Sequence, residues 1–208
     1  MIKLYGHDTS PYVYRIRLLL AELGIPFERD VHGWMSDPSP EFLANSPIKR
    51  LPMLDRGPEA KVRFVYDSRV IASVLYTMPH SKVSTDLQPT LYAAELAELD
   101  QNILSALDAG LDSAINLFLL EKDGVKRESV AYLQRQAARV EECLHWVNDL
   151  YGGKITLTLG RLAFTDIAVV AKIQWLRFRN LTDVSRYPNL LGVEAAAIKR
   201  PAFAIKLG

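Results

Sequence analysis

The chain changes its grammar near residue 80, and that change limits its fold more than any other feature. Before it, short strand-like runs alternate with helices: Ile2 to Tyr5, a helix from Pro11 to about Gly24, an extended piece from Phe27 to Val31, a short helix near Pro40 to Ala44, paired runs at Met53-Leu54 and Val62 to Val65, and a helix from Ser68 to about Met78. In the first helix Val13, Ile16, Leu20 and Leu23 recur at steps of three and four, and Gly24 followed by Pro26 stops it. The stretch Pro79 to Gln88, rich in Ser, Thr and Pro, reads as a linker. Beyond it the pattern is helical: Thr90 to Leu120 places Leu96, Leu99, Ile103 and Leu107 for burial, Val125 to Leu150 does the same through Val130, Leu133, Val140, Leu144 and Val147, and a third long helix follows Asp166. That third helix is apolar nearly all round, which puts it in the middle of a bundle. The expected architecture is α/β plus all-α: a small domain over residues 1–79, a linker over 80–88 and an all-helical domain over 89–208.

Composition narrows the possible roles. With 208 residues, 49% of them hydrophobic, there is enough chain for buried cores in one large domain or two small ones. A net charge of +1 supplies no excess for nucleic acid or an acidic membrane, and Arg177 and Arg179 read as a solvated helix face. Neither export nor membrane insertion is indicated, because the N-terminus enters a strand pattern directly and no long uninterrupted apolar run occurs. The single cysteine, Cys143, has no partner for a disulfide, so a reducing cytoplasm is the expected compartment. The four histidines are scattered without metal-ligand spacing, and no metal is expected.

Three motifs carry chemistry. Ser10-Pro11-Tyr12-Val13-Tyr14-Arg15 puts a hydroxyl where the first strand ends and the first helix begins. Ser before Pro is an ordinary helix start, yet a helix N-terminus also favours an anion, and a hydroxyl beside it can donate to a thiolate. In Asn45-Ser46-Pro47-Ile48-Lys49-Arg50-Leu51-Pro52, the second proline opens a strand and leaves the Leu51 backbone free to pair with an extended peptide, although an edge-strand proline behind two solvated basic residues fits as well. The sequence leaves the isomer of the Leu51-Pro52 bond open. Asp67-Ser68 precedes the third helix, where either residue caps it and the pair suits a ligand end carrying both an ammonium and a carboxylate.

Taken in order, these motifs resemble those of the cytosolic glutathione transferase superfamily: a thioredoxin-like N-terminal domain, a linker and a helical C-terminal domain. Ser10 to Arg15 is similar to the S/C-P-F/Y-x-x-R segment of serine- and cysteine-type members, Asn45 to Pro52 to the N-P-x-x-K-x-[VIL]-P stretch, and Asp67-Ser68 to the E/D-S pair. Phe164-Thr165-Asp166-Ile167-Ala168 resembles the helix-opening signature of the second domain, and Tyr187-Pro188-Asn189-Leu190 with Arg200-Pro201-Ala202-Phe203 its usual ending. One departure is Ala163, which stands where the signature has a capping Ser or Thr; either Thr165 substitutes in another geometry or the helical domain loses about 1 kcal/mol.

The resemblance implies roles residue by residue. Ser10 donates to the sulfur of glutathione, Leu51 before Pro52 pairs with the cysteinyl unit, Asp67 and Ser68 hold the γ-glutamyl end, and Lys49 meets the glycine carboxylate. Thr9 and Tyr5 are alternative sulfur contacts, with Tyr5 inside the strand pattern and so also suited to packing; His7 reads as a solvated loop residue. A free thiol has a pKa of about 8.5, and a charge-assisted hydrogen bond of roughly 1.5–3 kcal/mol lowers that by about one to two units. Serine in place of cysteine points away from thiol transfer and toward attack on a small hydrophobic electrophile, with Tyr12 and Ile103 as candidates for its pocket. A glutathione-dependent isomerase, lyase or peroxidase, or a binding protein without turnover, are the alternatives. The family expectation is a homodimer acting in detoxification, with glutathione as co-substrate.

Overall fold

The computed structural model describes residues 1–32, 37–79, 86–92, 94–154, 156 and 160–208. It divides into two compact units, Met1–Leu91 with Arg200–Gly208, and Tyr92–Lys199.

The first unit is a small mixed four-stranded sheet with helices: β1 (Ile2–Tyr5), α1 (Pro11–Leu23), β2 (Phe27–Asp30), α2 (Pro40–Asn45), β3 (Met53–Asp55), β4 (Phe64–Tyr66) and α3 (Ser68–Thr77). The strand order is β2-β1-β3-β4, with β1 parallel to β2 and the other pairs antiparallel. Alternation along the strands sorts the side chains. Leu4, Leu54 and Val65 align across the sheet as one buried row. Tyr5 and Met53 point to the other face and form a cluster with Phe42 of α2, flanked by Leu51, Phe64 and Tyr66. The periodic residues of α1, Val13, Ile16, Leu20 and Leu23, are all buried, and Gly24 ends the helix in the left-handed conformation that glycine adopts readily.

The expected placement of residues 200–208 at the end of the helical domain is corrected by specific contacts to α1. Arg200 meets Glu22 in a two-pronged ion pair, both bonds 2.7 Å, the Tyr14 hydroxyl donates to the Ile205 carbonyl at 3.1 Å, and Arg17 donates to the Lys206 carbonyl at 3.3 Å. Of the expected linker, residues 80–85 lie outside the described residues, and Leu87 is buried.

The second unit is helical: α4 (Ala97–Lys122), α5 (Ala131–Tyr151), α6 (Phe164–Phe178) and α7 (Pro188–Ala197). Two helices begin later than the apolar spacing predicts, α4 at Ala97 instead of Thr90 and α5 at Ala131 instead of Val125. Each is preceded by a short 3₁₀ turn, and neither starts with a side-chain cap. Residues 94–122 are long and apolar enough to cross a membrane by length and composition, yet Ile103, Leu104, Leu107 and Leu111 are buried and α4 packs against α5 and α6. As its composition predicts, α6 is central: every residue from Phe164 to Ile173 is buried.

The polar groups that α6 takes into the interior are partnered. Asp166 accepts from the Tyr151 hydroxyl at 2.7 Å and from the Ala163 N–H at 2.7 Å. This is the acidic half of a capping box; alanine offers no oxygen for the other half. Thr165 does not substitute for it, since its hydroxyl donates to Asp100 of α4 at 3.0 Å. The expectation that Arg177 and Arg179 form a solvated face holds for Arg177, whose side chain is 48% exposed, and is corrected for Arg179, which is half-buried. Arg177 pairs with Glu194 through two bonds of 2.8 and 2.7 Å, and the Arg179 guanidinium lies over the rings of Phe118 and Phe178 at 4.5 and 4.7 Å.

Candidate functional site

The first unit builds its polar features around two helix starts. At α1, Ser10 is the N-cap with extended backbone, followed by Pro11 at the first helical position. Its Oγ accepts from the Val13 N–H at 3.4 Å, its carbonyl accepts from Tyr14 at 2.9 Å, and its own N–H donates to the His7 carbonyl at 3.2 Å. A hydroxyl used as an acceptor by the helix still has its proton to give. Cap and donor are therefore compatible roles for one side chain, and the helix N-terminus adds partial positive charge at the same place.

At α3, Asp67 is the N-cap and accepts from the Arg69 N–H at 2.7 Å. Its backbone has φ 67° and ψ 129°, a conformation costly for a residue with a Cβ, and the side chain is exposed. Ser68, by contrast, is 2% exposed. Its hydroxyl accepts from Arg15 through Nε at 3.0 Å and through Nη2.

Arg15 is the residue that local reasoning about the site leaves out. It is itself buried, it ties α1 to the start of α3, and its guanidinium lies 4.8 Å from the centre of the Tyr12 ring. The signal was its place as the last residue of the Ser10 segment, one helical face along from Tyr12; its partner, 53 residues away, is invisible to local spacing.

The stretch before β3 is held against the Ser10 loop. A Cβ placed on Gly6, whose φ is 141°, would lie 3.5 Å from the Leu51 side chain and 2.3 Å from Val13 Cγ2, so glycine is required where strand, loop and helix converge. The Leu51-Pro52 peptide bond is cis. Among the described residues, neither the N–H nor the carbonyl of Leu51 has a hydrogen-bond partner. Lys49 sits at φ 49°, and its ammonium donates to the Leu43 carbonyl at the end of α2. Asn45 is anchored through its carbonyl by the Tyr66 hydroxyl at 2.6 Å.

The other hydroxyls near Ser10 differ in setting. Thr9 Oγ1 pairs with His7 Nδ1 at 2.9 Å. Tyr5 is 1% exposed within the Phe42 and Met53 cluster, the Lys3 ammonium lies 4.7 Å from its ring centre, and burial pushes its hydroxyl up to about 12. A phenol held neutral in the core is a packing residue. Ile103 is fully buried in α4, Tyr12 is half-buried, and Cys143 is a free, half-buried thiol of α5. Among the described residues no group of three His, Cys, Asp or Glu side chains is arranged to hold a metal.

Comparison with known proteins places the chain beside one family by part of its sequence and by its fold. The family model described as glutathione S-transferase, N-terminal domain, matches residues 9–78. Comparison with curated proteins gives no match. Among solved structures, a glutathione S-transferase of Methylobacillus flagellatus with GSH bound superimposes with a TM-score of 0.82 at 24% identity, covering 98% of each chain. One from Methylobacterium radiotolerans in complex with glutathione sulfonate gives 0.81 at 26% identity, covering 99% of this chain and 94% of that one. A glutathione transferase family member from Pseudomonas fluorescens with bound glutathione gives 0.79 at 18% identity over 100% of both chains.

Proposed function

We propose that the chain is a member of the glutathione S-transferase superfamily, from the match of its N-terminal domain and a fold shared over its length, and that it binds glutathione in the first unit and activates its thiol for attack on a small hydrophobic electrophile. The observation that carries this reading is Ser10: a hydroxyl that accepts from its own helix, keeps a proton to donate, and stands at the positive end of α1.

The thiolate is the nucleophile, so whatever favours the anion favours the reaction. Donation from Ser10 stabilises the charge on the ligand sulfur without Ser10 becoming a nucleophile. The unpaired backbone of Leu51, beside Pro52, suits a strand-like pairing with the cysteinyl unit. Asp67 presents an exposed carboxylate to an ammonium, while Ser68, oriented by Arg15, offers its hydroxyl and the α3 N-terminus to the neighbouring carboxylate of the γ-glutamyl end. Lys49 reaches the glycine carboxylate by exchanging the Leu43 carbonyl for it. Tyr12, half-buried, is assigned to the electrophile, whereas Ile103, 0% exposed, is a core residue of the second unit. The working form is a cytoplasmic homodimer with a role in detoxification, taking glutathione as co-substrate and no metal.

The test is a pH–rate profile of conjugation with a general aryl halide. Ser10→Ala is expected to raise the pH at which the bound thiol is half ionised by about one to two units while glutathione still binds. An unchanged profile removes Ser10 from this role, and calorimetry without a glutathione binding heat removes the reading altogether.

A further inference from the structure

The loop that delivers Ser10, residues 6–10, is gripped from outside by two arginines that share one carboxylate. Arg29 on β2 donates through Nη2 to the Gly6 carbonyl at 2.8 Å and to Asp8 Oδ1 at 2.9 Å. The same Asp8 oxygen is 2.7 Å from Nη1 of Arg17, in the second turn of α1, and that nitrogen also donates to the Lys206 carbonyl at 3.3 Å. Within the loop, the Ser10 N–H to His7 carbonyl bond and the Thr9 to His7 contact complete a turn that leads into the helix.

The two guanidinium groups are more buried than the carboxylate they share: the side-chain exposures are 14% for Arg17, 21% for Arg29 and 43% for Asp8. Burial pulls the Arg17 pKa down, Asp8 opposes that pull, and the neighbouring Arg29 charge adds to it. Without Asp8, two part-buried like charges would face each other across the loop. An isolated exposed ion pair contributes little, but one carboxylate bridging a strand, a loop and a helix fixes geometry as well as energy.

We infer that Asp8 is a positioning residue for the proposed site: by joining Arg29 of β2 to Arg17 of α1 it sets the loop so that the Ser10 hydroxyl meets the ligand sulfur. This rests on the glutathione reading of Ser10, and it concerns orientation, since Asp8 itself touches no reacting atom. The C-terminal segment shares in the arrangement through Lys206, whose carbonyl occupies the nitrogen of Arg17 that Asp8 also uses.

The experiment uses the full chain and the near-isosteric Asp8→Asn, with Asp8→Glu as the charge-retaining control. Amide hydrogen exchange is followed without ligand, and thiolate absorbance of bound glutathione is titrated against pH. Asp8→Asn is expected to speed exchange at Ser10 and Val13 by about tenfold or more while the β3 and β4 amides stay as in the parent, and to raise the half-ionisation pH of the bound thiol by about half a unit to one unit. Asp8→Glu is expected to recover most of both. If the variant only lowers the melting temperature, with loop exchange and thiol titration unchanged, the positioning role is overturned. If the parent chain binds no glutathione, the transferase reading fails and the exchange measurement alone decides whether Asp8 sets the loop.

Discussion

Among the described residues each unit buries one cation among its helices, and the two are accommodated in opposite ways. Arg15 in the first unit is 2% exposed, gives two N–H groups to Ser68 and lies over the Tyr12 ring. Lys172 in the second is 1% exposed and donates to the Leu107 carbonyl of α4 at 3.1 Å, in space that exists because residue 110 is glycine: a Cβ there would lie 2.4 Å from the ammonium. A guanidinium spreads its charge and presents several donors in a fixed fork, so it tolerates a dry site that a compact ammonium does not. Burial accordingly pulls Lys172 down to about 8, against the opposing influence of Cys143 and Asp108. The lesson concerns placement. In the first unit Arg15 joins α1 to the start of α3 through Ser68; buried polar groups of the second join helix to helix, as Asp100 to Thr165 and Tyr151 to Asp166 do.

The contrast breaks most visibly at Lys172. Lys172→Met keeps the volume and removes the buried ammonium, and is expected to stabilise the chain by about 3 kcal/mol at neutral pH, each unit of pKa displacement being worth about 1.36 kcal/mol. The sign follows from linkage. The folded-state value lies below the unfolded one of 10.5, so between about 8 and 10.5 the unfolded chain holds a proton that the folded chain has released. Stability of the parent therefore rises with pH through that window, and in Lys172→Met this contribution disappears. Urea denaturation followed by tryptophan fluorescence across that range checks both statements.

A smaller effect, of the opposite sign, is expected from Arg15→Lys. It keeps the charge but loses the fork and the stacking, so about 2 kcal/mol of stability goes and glutathione binding by calorimetry weakens. If affinity survives while stability falls, Arg15 serves packing alone and the two cations differ less than they look. The smallest change is a gain. Ala163→Ser supplies the missing oxygen of the α6 capping box and is expected to add about 1 kcal/mol to the same denaturation measurement, with no effect on the first unit's ligand affinity.

Much of this was legible in the chain itself, and what was not has identifiable causes. Steps of three and four placed Val13, Ile16, Leu20 and Leu23 correctly because burial on one helical face leaves a local trace. The all-apolar run after Asp166 announced a central helix for the same reason. The starts of α4 and α5 did not show, since apolar spacing continues through the turns before Ala97 and Ala131 and no cap residue marks the boundary. The partners of Ser68 and Asp8 did not show either. Arg15 and Arg29 reach them by folding distant segments together, and a half-buried arginine has the same local signature as a solvated one. Arg179, read as surface, makes the same point.

The return of residues 200–208 to α1 has a bearing on biosynthesis. These residues leave the ribosome after the whole helical unit, so the segment that binds Glu22, Tyr14 and Arg17 becomes available only when more than a hundred intervening residues have been made. The first ninety or so residues can collapse early around their sheet, but α1, the helix that Ser10 begins, waits for its last contacts. A nascent chain halted just before Arg200 would hold Ser10, Leu51, Asp67 and Ser68 and still lack the brace along the helix that Ser10 begins.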